Sequence, residues 1–228
     1  MEGRGTLYIV ATPIGNLGDV TPRAVEVLKG VDLIASEDTR VTQKLLRTFG
    51  IQTPQISFFE HNEEWKTPEI LERLERGQAI ALVSDAGTPL ISDPGYRLVK
   101  EAAERRIQVV PIPGPSAVIA ALSVSGLPTD RFTFVGFLPR KASRRRKELQ
   151  RLAELSHTLV LYESPHRILK TLQDLEKIMG KRCVVICREL TKKYEEILRG
   201  TPSELLRKLA DRRMRGEVTL IVAGRAEE

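Results

Sequence analysis

Long apolar runs are missing from this sequence of 228 residues, which limits what kind of protein it can be. No run approaches the roughly 20 apolar residues that a membrane-spanning helix needs. The N-terminus has no signal-peptide core and leads directly into a strand pattern. We therefore expect a cytoplasmic protein that has no membrane partner.

Cysteine and histidine are also scarce. The two cysteines, Cys183 and Cys187, lie in one apolar, strand-like run, CVVIC, and only three histidines are present. This is too little for the ligand spacings of a metal site. We expect no metal, and we expect both cysteines to behave as small buried hydrophobic residues.

Positive charge is concentrated in the second half of the chain. Residues 1–125 carry 13 basic and 16 acidic side chains, whereas residues 126–228 carry 23 and 14. Such an asymmetry indicates that a polyanion meets the second half. The hydrophobic content of 41% and the charged content of 29% are those of an ordinary globular protein.

Alternating apolar strands and helical segments predict an α/β fold with two domains. Residues 1–125 contain five strand–helix units, which predict a mostly parallel five-stranded sheet with helices on both faces. Thr-Pro and Asp-Pro pairs predict helix starts at Thr21, Thr67, Asp93 and Thr201, the last with a capping box to Glu204. Residues 126–228 form the second α/β domain, with a mixed sheet because YEEILRG follows the preceding strand too closely for a helical crossover.

The segment SDAGTPLISDPG, residues 84–95, follows a buried strand and is longer than a strand–helix connection requires. Long loops at the carboxyl ends of parallel strands commonly bind ligands, so we interpret it as a ligand loop. The first loop is not a dinucleotide fingerprint, because Gly15 and Gly18 give G-x-x-G rather than G-x-G-x-x-G. A phosphate-binding P-loop motif is also absent from the sequence.

Six segments in a fixed order carry a resemblance to a known family: TPIGNLGD, ASEDTR, SDAGTPLISDPG, PGPSA, FVGFLPRK and LYESPHR. Together they resemble the tetrapyrrole methylase superfamily of S-adenosylmethionine-dependent methyltransferases. Ser84 and Ala86 depart from the Gly-Asp-Pro turn of the wider superfamily and match its ribosomal branch, which 2′-O-methylates a cytidine ribose in the decoding region of bacterial 16S rRNA. The resemblance implies a homodimer, a cofactor cleft between two α/β domains, and 16S rRNA or the small ribosomal subunit as partner.

The resemblance also implies a set of S-adenosylmethionine contacts along most of the chain. Turns rich in backbone amides, such as SDAG and PGPSA, suit such a ligand, and the start of helix 115–125 offers free N–H groups. The predicted cofactor contacts are Pro13, Ser84, Asp85, Ala86, Gly87, Pro113, Gly114, Ser116, Ala117, Leu161, Tyr162, Ala223 and Gly224.

A ribose hydroxyl is a poor nucleophile until a base takes its proton. The SEDTR segment is expected to shape the reaction centre, although Glu37 and Asp38 could instead cap the helix that follows. The predicted catalytic residues are Glu37, Asp38, Arg40 and His61, with Glu63, Glu163 and His166 as further acid–base candidates. The sequence singles out no one of them as the base.

Residues 139–151 contain seven positive side chains and one negative, which favours contacts with RNA phosphates over a merely solvated helix face. The predicted RNA contacts are Asn16, Arg140, Lys141, Arg144, Arg145, Arg146 and His166. A second cluster, Arg212, Arg213 and Arg215, fits RNA or plain surface equally well. Phe58, Phe59 and the phenylalanines of residues 132–137 are expected in the core. Two alternatives stay open: a small-molecule methyltransferase of the same fold, and a non-catalytic RNA-binding assembly factor.

Overall fold

The computed structural model describes residues 3–226 and divides into two compact units, which meet along the chain between Ser116 and Ala117. The predicted domain joint lies later, at residues 126–129. The helix Ala117–Ser125 lies between the observed and the predicted boundary, and it belongs to the second unit because it packs against the last strand there. A local sequence pattern identifies a helix but not the sheet that it covers.

The first unit is a parallel sheet covered on both faces. Its elements are β1 (Thr6–Val10), α1 (Pro22–Gly30), β2 (Leu33–Ser36), α2 (Thr39–Thr48), β3 (Gln55–Ser57), α3 (Glu63–Glu75), β4 (Ile80–Val83), α4 (Tyr96–Glu104) and β5 (Gln108–Ile112). The strand order is β3-β2-β4-β1-β5, and every pair is parallel. Two apolar clusters lie on opposite faces of this sheet, so the predicted five-stranded parallel sheet is confirmed.

The helix start predicted at Thr67 is wrong, because α3 begins at Glu63. The buried side chain of Asn62 accepts a hydrogen bond from the Phe59 N–H (2.8 Å) and donates one to the Ser57 carbonyl (3.1 Å). This turn starts the helix before the Thr-Pro pair is reached. Pro68 therefore lies inside the helix, where a proline removes one helical hydrogen bond.

The helix start predicted at Asp93 is also wrong. Helix α4 begins at Tyr96, and its cap comes from α3: the Glu63 carboxylate accepts hydrogen bonds from the N–H groups of Gly95 and Arg97, both at 3.1 Å. A carboxylate stabilises the positive end of a helix whichever element supplies it. The carboxyl group of Asp93 is left for other contacts.

The second unit is also α/β. Its elements are α5 (Ala117–Ser125), β6 (Phe132–Phe137), α6 (Ala142–Leu152), β7 (Thr158–Glu163), α7 (Ile168–Met179), β8 (Val184–Arg188), β9 (Glu196–Gly200), α8 (Pro202–Leu209) and β10 (Val218–Val222). The order is β6-β7-β10-β8-β9; β6 and β7 are parallel and the other pairs antiparallel. The predicted mixed sheet is confirmed.

Both faces of the second sheet are covered. Helices α6, α7 and α8 pack on one face, and α5 packs on the other, where Cys187 is buried and Cys183 is partly buried. Within residues 3–226, no group of His, Cys, Asp and Glu side chains is arranged to hold a metal ion. No helix in that range has the length and hydropathy needed to cross a membrane.

Candidate active site

The loops after β1, β4 and β5 converge at the carboxyl edge of the first sheet. Thr12 and Gly87 exchange two backbone hydrogen bonds of 2.9 and 3.0 Å, and the Thr12 hydroxyl donates to the Ser84 carbonyl (3.1 Å). Gly87 has φ of 86°, and a Cβ at this position would lie 3.7 Å from the Pro115 carbonyl oxygen. The segments 84–87 and 113–115 are therefore neighbours. This was predicted, because each follows a strand of the parallel sheet and such loops share one edge.

The loop after β5 lies close against the loop after β1. A Cβ on Gly114 would stand 2.9 Å from the Cβ of Ala11, whose N–H donates to the Ile112 carbonyl at 3.2 Å. Only glycine allows this approach. Pro113 and Gly114 themselves are exposed, so main-chain polar groups are accessible beside the loop that contains Asp85.

Asp85 is connected to the SEDTR segment by two hydrogen bonds. Its Oδ1 accepts from the Asp38 N–H (2.9 Å), and its own N–H donates to Oε2 of Glu37 (3.3 Å). Burial raises the pKa of Glu37, an effect that the bond from Asp85 N–H opposes and the charge of Asp85 reinforces. The pKa of Asp85 is raised as well, again chiefly by burial.

Asp38 differs from its neighbour Glu37. It is the N-cap of α2, accepting from the Arg40 N–H (2.8 Å), and it forms an ion pair with the Arg40 guanidinium (2.6 Å). These bonds lower the pKa of Asp38 to about 2. Asp38 thus has the capping role that its position allowed, whereas Glu37 does not cap the helix.

Asp93 completes a group of carboxylates at this edge, a role that sequence reasoning missed because Asp-Pro resembles a helix start. Burial raises the pKa of Asp93 to about 6; repulsion from Glu37 and Asp85 adds to this, and a hydrogen bond from Ser84 opposes it. The site is therefore rich in negative charge, with Arg40 as the cation paired to Asp38. The position of Asp93 within the long loop was the feature of the sequence that could have identified it as a site residue.

The other residues predicted in the first unit lie on loops at the same edge. His61 follows β3, is exposed, and makes an edge contact with the Phe59 ring, with 6.2 Å between ring centroids. Asn16, after β1, is exposed, and its Oδ1 accepts a hydrogen bond from the Gly18 N–H (2.9 Å). Pro13 is partly exposed.

Ala117 begins α5, and the other cofactor contacts predicted in the second unit fall into two separate groups. Tyr162 is partly buried, with its ring centroid 5.0 Å from that of Phe134, while the side chain of Leu161 is buried in the core on the other face. Ala223 and Gly224 follow β10, which is antiparallel to β7, so they lie beside the start of β7. About 10 Å of strand separates the two groups.

Glu163, considered as an acid–base group, is not available for that role. It is buried, and it accepts hydrogen bonds from the Ser164 N–H (2.7 Å) and the Thr171 hydroxyl (2.5 Å). Arg167 adds an ion pair at 3.1 Å. His166 is exposed, and its main-chain N–H donates to the Ser164 hydroxyl (3.3 Å).

The prediction that Arg145 contacts RNA is corrected. Arg145 is only 5% exposed, and Nε and Nη2 contact Oδ2 of Asp174 on α7 at 2.8 and 2.7 Å. A guanidinium buried in this way is not available to a phosphate. The other predicted RNA contacts of this segment, Arg140, Lys141, Arg144 and Arg146, are exposed.

Most of the phenylalanines expected in the core are exposed. Phe58 is fully buried, but Phe59, Phe132 and Phe137 are exposed. Phe132 and Phe137 lie on β6, which is an edge strand and contains a register shift between Phe134 and Gly136. Neither the edge position nor the shift could be inferred from apolar content alone.

The chain matches a known family model over most of its length. Residues 6–206 match the model described as Tetrapyrrole (Corrin/Porphyrin) Methylases. Ribosomal RNA small subunit methyltransferase I of a Synechocystis species is 55% identical over 98% of this chain and 81% of that protein. The protein of the same name from Halalkalibacterium halodurans is 52% identical over 100% of this chain and 78% of that protein.

Solved structures share the fold at much lower identity. A cobalt precorrin-4 methyltransferase, described as a cobalamin biosynthetic enzyme, superposes with a TM-score of 0.69 at 18% identity, covering 96% of this chain and 94% of that chain. This similarity extends through both units.

Proposed function

Because the chain belongs to the tetrapyrrole methylase family and, within it, to the group of ribosomal RNA small subunit methyltransferase I, we propose that it methylates a ribose of 16S rRNA. It is a methyltransferase that uses S-adenosylmethionine. The acceptor is the 2′-hydroxyl of a cytidine in the decoding region, in free rRNA or in the small ribosomal subunit. The reaction takes place in the cytoplasm, where ribosomal subunits are assembled.

The carboxylates at the edge of the first sheet are the observation that carries the proposal. S-adenosylmethionine has a sulfonium and an ammonium group, and the partly buried Glu37 and Asp93, with the more exposed Asp85 beside them, supply negative charge that attracts both. The nearby main chain of residues 84–87 and 113–116 offers hydrogen-bonding groups for the uncharged parts. The residues present therefore fit the cofactor.

Positioning is the main task of these loops. The cofactor supplies a methyl group on a positively charged sulfur, and transfer requires the acceptor oxygen to approach in line with the carbon–sulfur bond. The hydrogen bonds between Thr12 and Gly87, and between Asp85 and Asp38, hold the loops in one arrangement. The cofactor contacts proposed in the second unit are Tyr162, Ala223 and Gly224, with Leu161 restricted to its main chain.

Glu37 is the residue best suited to accept the proton of the ribose hydroxyl. Its pKa is raised, so it is a stronger base than an ordinary carboxylate. Asp38 is a weaker base because Arg40 lowers its pKa to about 2. His61 is the second candidate, and the exposed guanidinium of Arg40 is placed to meet an RNA phosphate.

RNA is held chiefly by the second unit. Arg140, Lys141, Arg144 and Arg146 are exposed at the start of α6, and His166 is exposed at the end of β7. Each phosphate contact adds affinity that falls as salt rises. A small tetrapyrrole substrate would bind with little dependence on salt, which distinguishes that alternative.

The direct test is transfer of a tritiated methyl group to small ribosomal subunits that lack the modification, followed by mapping of the labelled nucleotide. We expect one labelled cytidine with an alkali-resistant 3′ linkage, because a methylated 2′-oxygen cannot attack the neighbouring phosphate. Label on a base, or no transfer to subunits or free 16S rRNA, would reject the proposal.

Asp85→Ala tests the cofactor site separately. We expect no measurable heat on titration with S-adenosylmethionine, because the variant loses both a negative charge and the acceptor for the Asp38 N–H. Asp85→Asn is the matched control for that hydrogen bond, and we expect it to retain weak binding. The thermal transition of both variants should remain cooperative; cofactor affinity equal to wild type would show that Asp85 is not in the site.

A further inference from the structure

One end of the second sheet gathers loops that are distant in the sequence. Strands β6, β7 and β8 run in the same direction, and Glu163 and Arg188, at the ends of β7 and β8, both pair with Val218 at the start of β10. The loops that meet at this end comprise residues 138–141, 164–167, 189–195 and 211–217. We call it the basic end of the sheet.

Positive side chains accumulate at the basic end, some with carboxylate partners and some without. Lys192 and Arg212 are paired, with Glu217 and Glu196 respectively. Other cations there are exposed and form no ion pair within residues 3–226; they are Arg140, Lys141, Lys193, Arg213 and Arg215. The same loops contain exposed Glu195, Asp211 and Glu217, but positive side chains outnumber negative ones, so this end of the sheet favours a polyanion.

An exposed aromatic ring stands at the β6 side of the basic end. The register shift at Gly136, whose φ is 69°, inserts an extra residue and brings Phe137 opposite Tyr162, with ring centroids 5.5 Å apart. A bulge of this kind redirects a side chain. Phe137 is 59% exposed, although a large apolar side chain is normally buried.

A second exposed ring stands at the β8 side. Glu189 and Thr191 have positive φ, 52° and 66°, an unfavourable conformation for residues with a Cβ. The Glu189 carboxylate holds the loop by accepting from the N–H of Glu217 (2.9 Å) and from Nζ of Lys192 (3.1 Å). The loop leaves Tyr194 64% exposed.

Each ring is accompanied by cations. Nζ of Lys193 lies 5.6 Å from the centroid of the Tyr194 ring, and Arg140 and Lys141 follow Phe137 closely in the chain. Exposed rings beside positive groups are the features with which proteins bind single-stranded nucleic acid, because every base has a face that can stack. Phe137 lies on β6 and Tyr194 lies in the loop that joins β8 to β9; in the order β6-β7-β10-β8, β6 and β8 are about 14 Å apart.

We propose that Phe137 and Tyr194 are two stacking contacts for single-stranded RNA at the basic end, with the neighbouring cations binding its phosphates. This inference rests on the proposed rRNA substrate and identifies where it is held. The separation of the strands means that the rings engage different bases, so the bound segment of RNA must be unpaired over several nucleotides.

Variants that remove one ring at a time test the proposal. We expect Phe137→Leu and Tyr194→Leu each to weaken binding of a short single-stranded oligoribonucleotide about tenfold, as loss of one stacked base predicts. Phe137→Tyr and Tyr194→Phe retain a ring and should bind as wild type. Phe132→Leu is the matched control, because Phe132 is 40% exposed on the same strand but lies at the opposite end of the sheet.

Lys193, the cation beside Tyr194, is tested by one variant and a matched control. We expect Lys193→Gln to reduce the slope of log affinity against log salt by about 0.7, the value for one phosphate contact with a single strand. Lys181→Gln, an exposed lysine before the start of β8 at the opposite end, should leave the slope unchanged.

Several results would overturn the two contacts. They are rejected if the Leu variants bind as wild type, if Phe132→Leu weakens binding equally, or if the ring-retaining variants lose as much affinity as the Leu variants. A parallel loss of S-adenosylmethionine affinity in Phe137→Leu would reject the RNA role of that ring. Failure of the wild-type protein to methylate small subunits, with ring-dependent RNA binding intact, would reject the proposed function and leave the contacts supported.

Discussion

Glu37 and Asp38 are neighbours in the chain, yet the pKa values of their carboxyl groups are shifted in opposite directions. Partial burial raises the pKa of Glu37, while hydrogen bonds and the ion pair with Arg40 lower that of Asp38 to about 2. The SEDTR motif alone could not distinguish them, because burial and the Asp85 contact come from a loop far along the chain. The division of roles follows from the fold.

Glu37→Gln should lower the rate of methyl transfer by about a hundredfold or more, because the variant cannot accept a proton. The glutamine oxygen can still accept the bond from the Asp85 N–H, so cofactor affinity should fall only by the contribution of the lost negative charge. Single-turnover transfer at saturating S-adenosylmethionine measures the effect. Asp38→Asn is the comparison: it should lower thermal stability through the weakened cap and ion pair. If the Glu37→Gln enzyme transferred methyl groups at the wild-type rate, another residue would be the base, and His61→Gln would be the next variant to test.

Asp93→Asn should stabilise the protein at pH 7, by on the order of 1 kcal/mol once solvent screening of a partly exposed group is allowed for. Folding raises the pKa of Asp93 from 3.8 to about 6, so the folded state binds more protons than the unfolded state between these values. The destabilising effect of Asp93 therefore grows as pH rises through this window and is complete above it. Thermal unfolding from pH 4 to pH 8 measures it; an equal difference between variant and wild type at every pH would contradict the assignment.

At the scale of the element, α6 shows how a basic helix is attached to its sheet. Arg145 lies one and two turns before the buried Leu149 and Leu152, on the apolar face of the helix, and its guanidinium pairs with Asp174 on α7. This spacing was visible in the sequence and could have identified Arg145 as a buried residue among exposed ones. The density of positive charge obscured it.

Arg145→Met should destabilise the protein by about 3–5 kcal/mol, because Asp174 would remain buried without its partner. The double variant Arg145→Met with Asp174→Leu should recover much of that loss. Arg144→Ala is the matched control: its side chain is exposed, so stability should be unchanged while RNA affinity falls. Denaturant unfolding of wild type, Arg145→Met, Asp174→Leu and the double variant forms a double-mutant cycle, and a cycle with no coupling energy would contradict the buried pair.

The same scale explains which elements could be predicted from sequence. Thr21-Pro22 and Thr201-Pro202 do begin helices, and Thr201 forms the predicted capping box with Glu204, because all the groups involved are local. The starts of α3 and α4 could not be predicted. The start of α3 depends on a turn that the Asn62 side chain holds by bonding back to β3, and the start of α4 depends on Glu63 reaching across from α3.

At the scale of the whole molecule, the uneven charge in the sequence corresponds to distinct surfaces in the two units. Carboxylates gather at the edge of the first sheet, and unpaired cations gather at the basic end of the second. The sequence predicted the sign of each half and the common edge of the first-sheet loops. It could not predict the basic end, because antiparallel pairing with β10 brings those loops together.

The resemblance implies a homodimer, and we expect this self-association to occur through the first unit. Trp65 and Tyr96 lie near the starts of α3 and α4, which pack against each other, and their side chains are 65% and 72% exposed. Exposed apolar groups of this size commonly mark an interface. We expect a homodimer by sedimentation velocity and a monomer after Trp65→Glu, with Phe132→Glu remaining dimeric. A monomeric wild-type protein would refute the prediction.

The pair of backbone hydrogen bonds between Thr12 and Gly87 has a practical consequence for redesign. Main-chain bonds do not depend on which side chains the loop carries, so the exposed Ala86 can be varied while the path of the polypeptide is preserved. A library confined to position 86 would alter the surface of the loop and leave the bond between Asp85 and Asp38 in place. This makes the loop a natural starting point for accepting synthetic donors with alkyl groups larger than methyl.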